Sequence, residues 1–329
     1  MVRYPKSSDD WRPHHTSLHA PQRFCKGGMS SLGTALDDIL ENARLRYEDA
    51  VGQPCLRRSS DESTCRPTCD CRKCFTHFYY ADQPPGAVRT ACASGPECPR
   101  FRELHTVLHT ASAAKHIELL MDAATATGFL DPSEVFGRRD AVIASFGCGG
   151  AADLIGCLSW ADKTYEAYAA NSARLRGCDA VDAWFDLGTE AVAFAVGDTA
   201  PWTRGVYYEF AAVPRVPTDS DLMMLDDADV VLFSWVLSIL DQEGILDETW
   251  RGIVSHLRAG AVVVVTDRWQ PGGFNLVLER LLGSSPRLQP AWGVGDYDQR
   301  LMDYRFTPAV RTHMPRGKFR ASGVVARVH

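Results

Sequence analysis

Hydrophobic positions recur along this chain at two different spacings, and the change between them divides it. From Leu32 to about Val51, Leu36, Ile39, Leu40 and Ala43 return at helical intervals with charges opposite, which predicts an amphipathic helix docked on something. A longer helix is predicted from about Pro99 to Thr127. There Phe101, Leu104, Leu108, Ala111, Ile117, Leu120 and Ala124 fall mostly on one stripe, and Gly128 can end it. Beyond residue 128 the texture changes. Short apolar runs, Ala141 to Phe146, Ala191 to Val196, Ala228 to Trp235 and Ala261 to Thr266, predict strands by their Val and aromatic content. Helix-like stretches lie between and after them, at Ala151 to Ala170, Gln242 to Leu257 and Phe274 to Leu282. Asp303 to Phe306 and Gly323 to Val328 are two further strand candidates, joined by a basic loop. Strands alternating with helices predict an α/β protein with a parallel sheet covered on both faces. No internal repeat is visible.

Composition adds limits. With 329 residues, 45% hydrophobic and 23% charged, a well-buried core in one large domain or two is expected. No run of eighteen apolar residues occurs and the first fifteen residues, MVRYPKSSDDWRPHH, are polar. The expectation is therefore an intracellular chain, cytoplasmic or nuclear, with no membrane partner. A formal net charge of −6 argues against coating nucleic acid through overall charge, and leaves local patches open.

Seven of the 11 cysteines lie between Cys55 and Cys98, in a stretch rich in Pro, Gly, Arg and Ser. In a reducing compartment clustered thiols are more often metal ligands than disulfides. CDCRKCFTH offers the Cys71-x2-Cys74 turn that suits tetrahedral zinc, and Cys92 with Cys98 offers a second pair. A zinc site of Cys71, Cys74, Cys92 and Cys98 is expected. Cys55, Cys65, Cys69 and His77 are alternate ligands, the three cysteines in a two-metal cluster, and unligated thiols are the other reading. This divides the chain into an N-terminal arm (1–31), a helical, cysteine-rich zinc module (32–128) and an α/β domain (129–329).

Around the cysteines stand Arg57, Arg58, Arg66, Arg72, Lys73, Arg89, Arg100 and Arg102, interleaved with Phe75, Phe78, Tyr79 and Tyr80. Near the other end are Arg300, Arg305, Arg311, Arg316, Lys318 and Arg320. Such patches fit RNA or another polyanion, by phosphate neutralisation and base stacking. They fit equally well a metal module kept soluble by arginines and docked by its rings.

The first strand of the α/β region runs into SFGCGGAADLIG, residues 145–156. A strand, a Gly-x-Gly turn and a helix place backbone amides around a polar ligand. A dinucleotide would require an acid about 20 residues on, at the end of the second strand. Ala152 fits the third small position and Glu166 the offset, but DKTYEAYAAN around Glu166 has no apolar run, so an NAD-dependent oxidoreductase is disfavoured. The next predicted strand, in EAVAFAVGDTAPW, ends at Asp198.

Taken with LDDADVVLFSWVLSIL, AGAVVVVTDRW and a terminal hairpin, this order resembles class I S-adenosylmethionine-dependent methyltransferases over residues 129 to 329. The SFGCG turn with its helix-opening Asp is similar to a eukaryotic group of them. The resemblance implies a Rossmann-like seven-stranded sheet. It also implies that Phe146, Gly147, Cys148 and Gly149 lie against the methionine part of the cofactor, with Asp153 near its ammonium. By the same resemblance Asp198 would hold the ribose and Asp219, Ser220 and Asp221 the adenine amine, with Trp202 available to stack. Ser234 and Trp235 would border the methyl group and the acceptor.

The acceptor is narrowed by what is missing. FSWVLSIL lacks the Asn/Asp-Pro-Pro-aromatic signature of adenine amino-methylation, and no cysteine follows Cys178 to serve as a cytosine-C5 nucleophile. Lys163 and Lys318 are the only lysines after Lys115, which disfavours the lysine-containing tetrad of ribose methylation. General-base candidates are His105 and His109, four apart on the predicted helix, with His116, His256 and His313. RNA or another polyanion is the expected acceptor; a protein or small molecule, or an inactive binding protein of this fold, is the alternative.

Overall fold

The computed structural model describes residues 31–51, 98–137, 140–164, 172–198, 205–268, 274–292 and 321–329. In chain order its helices are α1 (Ser31–Val51), α2 (Pro99–Ala126), α3 (Pro132–Phe136), α4 (Ala152–Thr164), α5 (Phe185–Asp198), α6 (Asp219–Leu222), α7 (Leu237–Gln242), α8 (Leu246–His256) and α9 (Phe274–Gly283). The strands are β1 (Asp140–Phe146), β2 (Ser172–Asp179), β3 (Val206–Ala212), β4 (Val230–Ser234), β5 (Val262–Arg268), β6 (Leu288–Trp292) and β7 (Ala321–Val328).

These strands form one seven-stranded sheet in the order β3-β2-β1-β4-β5-β7-β6. The first five pair in parallel, and β7 lies antiparallel to both β5 and β6. This is the Rossmann-like methyltransferase sheet implied by the resemblance, closed by an antiparallel pair.

The central strands are buried on both faces, which is why they read as unbroken apolar runs. In β1, Ile143 joins the core beneath α1, α2, α4 and α5, while Val142 and Ala144 point into the core beneath α8 and α9. In β4 and β5, Leu232 and Val264 share the first core, and Phe233 and Val265 the second. Because the carboxyl ends of β1, β2 and β4 lie side by side, the loops that leave them meet above one edge of the sheet.

Two expectations are corrected. The strand expected at Ala191 to Val196 is part of helix α5, and the second strand is β2, which precedes that helix. Ala191, Val192 and Ala195 follow helical spacing and are buried against the sheet, so a short Ala/Val run served a helix here. In β2 the charge of Arg176 disguised a strand. That guanidinium is neutralised by Glu209 of β3 at 2.8 Å and by Asp227, and it also donates to the Met224 carbonyl at 2.8 Å. The stripe expected on α2 is likewise wider than the sequence suggested. Polar and apolar side chains are buried around most of the helix, including His109, His116 and the Lys115–Glu118 ion pair at 2.7 Å.

Helix α2 matters because it roofs the sheet edge. It crosses α4 so closely that a Cβ at Gly156 would stand 2.2 Å from the Ala114 carbonyl oxygen. From outside, Arg46 of α1 reaches Glu103 of α2 and Glu190 of α5, each at 2.7 Å, tying the three helices together.

Several expected features lie outside the described residues: the N-terminal arm, the strand at 303–306, Cys55, Cys65, Cys69, Cys71, Cys74, Cys92, His77, Trp202, His313, and the basic residues of the cysteine module up to Arg89 and of 300–320. Among the described residues no helix is long and apolar enough to cross a membrane.

Candidate active site

Above the carboxyl ends of β1, β2 and β4 a cleft of about 1130 Å³, open to solvent, is roofed by α2. The turn after β1 forms its floor. Gly147 has φ +70°, and a Cβ there would stand 2.5 Å from a Val236 methyl, so only glycine fits. Its amide and that of Cys148 both donate to the Cys178 carbonyl, at 2.8 and 2.9 Å, which locks the turn onto the end of β2. Gly149, at φ +48°, has no atom within 4 Å of where a Cβ would stand; its outer side is open space.

Two carboxylates bracket this turn. Asp153, in the first turn of α4, is 1% exposed. Ser145 Oγ donates to it at 2.5 Å, and its own Oδ1 accepts from the Leu154 amide at 2.8 Å. Burial outweighs those donors and pushes its pKa up to about 6. Asp179 ends β2, 30 positions beyond Gly149, and accepts from the Gly149 amide at 2.9 Å and the Val181 amide at 3.0 Å. Burial raises its pKa too, against those hydrogen bonds and the pull of Arg215. Cys148 also lines the cleft, but burial lifts its thiol well above the ordinary range, so it stays protonated and is no nucleophile.

The far wall comes from β4 and α2. Trp235 follows β4 with φ +61°, a left-handed backbone that a tryptophan adopts at a cost of roughly 1–2 kcal/mol. Strand β5 holds it there: the Trp235 amide donates to the Thr266 carbonyl at 2.8 Å, and three residues on the Ser238 amide donates to Asp267 Oδ2 at 2.8 Å. Backbone strain held from both sides is typical of functional positions. Against Trp235 lies His109, ring centroids 4.9 Å apart; His105 is 5.0 Å from His109, and Trp184 is 5.1 Å from His105.

Of the residues expected from the sequence, the cleft brings together His105, His109, Phe146, Gly147, Cys148, Gly149, Asp153, Ser234 and Trp235. Asp219, Ser220 and Asp221 do not line it. They form α6, where Asp221 closes a capping box with Thr218 and Asp219 stands 3.6 Å from His256. His256 pairs with Asp226 at 2.8 Å, outside the cleft lining. His116 is buried behind Trp235, rings 6.5 Å apart, and burial pulls its pKa down to about 4, so it sits neutral in the core. Asp198 closes helix α5 and does not end a strand; the strand-two acid is Asp179. Cys98 is buried at the N-cap of α2, beside Phe101, Leu104 and Trp184. Among the described residues no three His, Cys, Asp or Glu side chains gather as a metal site.

Sequence reading missed Asp179, Trp184, Arg215 and Glu243, all of which line the cleft. The available signal was RLRGCDAVDAW, where a Gly-Cys-Asp ending follows alternating apolar residues; Arg174 and Arg176 hid it.

No family model matches this sequence, and no curated protein does. Similar solved structures include a loganic acid methyltransferase with SAH, at 9% identity, over 75% of this chain and 97% of that one, with a TM-score of 0.40. The precorrin-6y C5,15-methyltransferase of Geobacter metallireducens is 16% identical over 60% of this chain and 85% of that one, with a TM-score of 0.34. A 16S rRNA (adenine(1408)-N(1))-methyltransferase from Catenulisporales acidiphilia is 12% identical over 60% and 91%, with a TM-score of 0.33. The fold assignment rests on the order and direction of the strands, independently of these overlaps.

Proposed function

We propose that this chain is an S-adenosylmethionine-dependent methyltransferase whose cofactor lies across the turn at residues 147–149. The observation that carries this reading is the pairing of an open, left-handed Gly149 with two carboxylates, the buried Asp153 and the half-buried Asp179. The donor set fits the group. A cationic ligand suits a cleft whose acids, Asp153, Asp179 and Glu243, outnumber its one arginine, Arg215, among the described residues.

S-adenosylmethionine supplies a methyl group made electrophilic by its sulfonium. The chain's part is to bind, orient and exclude water. Asp153 would face the ammonium, which returns the carboxyl to its ionised form. Asp179 spends two of its four lone-pair directions on backbone amides and keeps the others for ribose hydroxyls. Val213, Arg215 and Ile239 of the cleft wall take the adenine side that the resemblance gave to Asp219, Ser220 and Asp221. His105 and His109 are the bases within reach of an acceptor beside Trp235.

Calorimetry with S-adenosylhomocysteine tests the assignment. Asp179→Asn is expected to weaken binding at least 10-fold and Asp198→Asn less than twofold. Equal effects would return the ribose to Asp198, and no binding by the unsubstituted protein would remove the enzyme reading.

RNA or another polyanion as acceptor draws its support from the basic stretches outside the described residues. The described cleft favours the small-molecule alternative. Zinc remains the reading of the cysteine cluster, with Cys98 its described member. Protein purified without added zinc is expected to carry at least one equivalent by metal analysis; less would remove the metal.

A further inference from the structure

The rings of the far wall form an unbroken row, Trp184, His105, His109 and Trp235, with neighbouring centroids 5.1, 5.0 and 4.9 Å apart. All four residues line the cleft, Trp184 and His109 with only a small part of their surface exposed, next to uncharged Thr110, Ala113 and Val181. Both Trp–His contacts are edge to face, the arrangement in which ring quadrupoles attract. Electrostatics point the same way. The one arginine among the described lining residues, Arg215, is already ion-paired with Glu243, so a phosphate entering here would meet carboxylates and an engaged cation. The end of the row nearest the turn is also where the backbone holds Trp235 in its costly left-handed conformation.

We infer that the methyl acceptor is a free, uncharged, planar aromatic small molecule, a phenol or an N-heterocycle, that stacks along the row from Trp184 to Trp235. This rests on the methyltransferase reading. The acceptor's oxygen or nitrogen forms the new bond to the methyl carbon. The carbon–sulfur bond breaks with its electron pair left on sulfur, turning the sulfonium into a neutral thioether. The acceptor's O–H or N–H proton passes to His109 and leaves through His105, which is half-buried where His109 is buried. A ring on the row gains stacking that a saturated ring of the same size does not.

The probe is 2-naphthol, followed by its fluorescence on titration with the full chain, with decahydro-2-naphthol as the saturated competitor. Calorimetry with S-adenosylhomocysteine reports the parent reading separately, so each can fail without the other. 2-Naphthol is expected to bind at least 10-fold more tightly than the saturated bicycle. Trp184→Leu and Trp235→Gly are each expected to lose 10-fold or more for 2-naphthol, while Trp184→Leu holds S-adenosylhomocysteine within threefold of the unsubstituted protein. Glycine is chosen at 235 because it suits φ +61° and removes the ring without straining the turn; should that variant fail to fold, Trp184→Leu decides. Equal affinity for the two bicycles overturns the proposal. So does tritium passing from labelled S-adenosylmethionine into total cellular RNA and not into 2-naphthol.

Discussion

Asp153→Asn is expected to make the protein more stable and to weaken its hold on S-adenosylmethionine at least 10-fold. The carboxyl is 1% exposed and its pKa is raised from 3.8 to about 6, chiefly by burial. A shift of that size corresponds to about 3 kcal/mol of unfavourable charge burial at neutral pH. The amide keeps the shape, can still accept from the Leu154 amide, and leaves the Ser145 hydroxyl free to turn. It should recover about 1–3 kcal/mol, read by urea unfolding at pH 7.5. Binding is expected to move the other way, because under the proposed function the ammonium would lose its counter-ion. In the unsubstituted protein, affinity should fall as pH drops below about 6.

The pH profile separates this from a simple packing effect. An acid with a raised folded pKa contributes stability that is full below its unfolded pKa of 3.8 and is lost as pH rises through 6. His116 does the opposite. Burial lowers its pKa from 6.5 to about 4, so its contribution is full above 6.5 and is lost as pH falls through 4. Between pH 4 and 6 the two slopes oppose each other. Removing Asp153 takes away one slope that opposes that of His116, so the variant should lose stability with acid more steeply than its parent. An unchanged profile would mean that Asp153 is not the group held out of water.

The sequence disclosed what was buried on two faces or repeated by a rule. Strands β1, β4 and β5 sit in the middle of the sheet and carry side chains into both cores, so their apolar runs could be read directly. Strands β2, β3 and β6 could not. Strand β3 is an edge with Tyr207 exposed, β6 is the other edge, and β2 buries Arg176 by virtue of acids that lie 33 and 51 positions away. Pairings of that range leave no mark in a local window. The same cause explains the site. Gly147, Gly149 and Asp153 are local to one turn and were legible, whereas Asp179 depended on recognising β2. The run around Ala191 to Val196 looked like a strand because Val and Phe favour sheets and six residues are too few to reveal a helical period. His105 and His109 were correctly paired by their spacing, but their neighbours Trp184 and Trp235 come from the ends of other elements and only the fold assembles the row.

Gly156→Ala is expected to destabilise the protein although alanine is the better helix former. Inside α4 the exchange should gain about 1 kcal/mol from propensity alone. Against this, the added Cβ would stand 2.2 Å from the Ala114 carbonyl oxygen and 3.0 Å from the Ala114 Cα. Both are backbone atoms of α2, so no side chain can swing aside and the helix itself must move. Overpacking commonly costs about 1–3 kcal/mol and more where the obstacle is rigid, which leaves a net loss of about 2 kcal/mol. Gly283→Ala, at the end of α9 with nothing within 4 Å, should by contrast be neutral or slightly stabilising. The functional consequence follows from what α2 carries. Pushing it off α4 moves His105 and His109 away from Trp184 and Trp235, so the cleft should loosen even well below the melting temperature. Hydrogen exchange should then quicken along α2 before it does along β4 and β5, and 2-naphthol binding should weaken with it. A Gly156→Ala protein as stable as its parent would show that the two helices are not in backbone contact and that the roof of the cleft is held by other means.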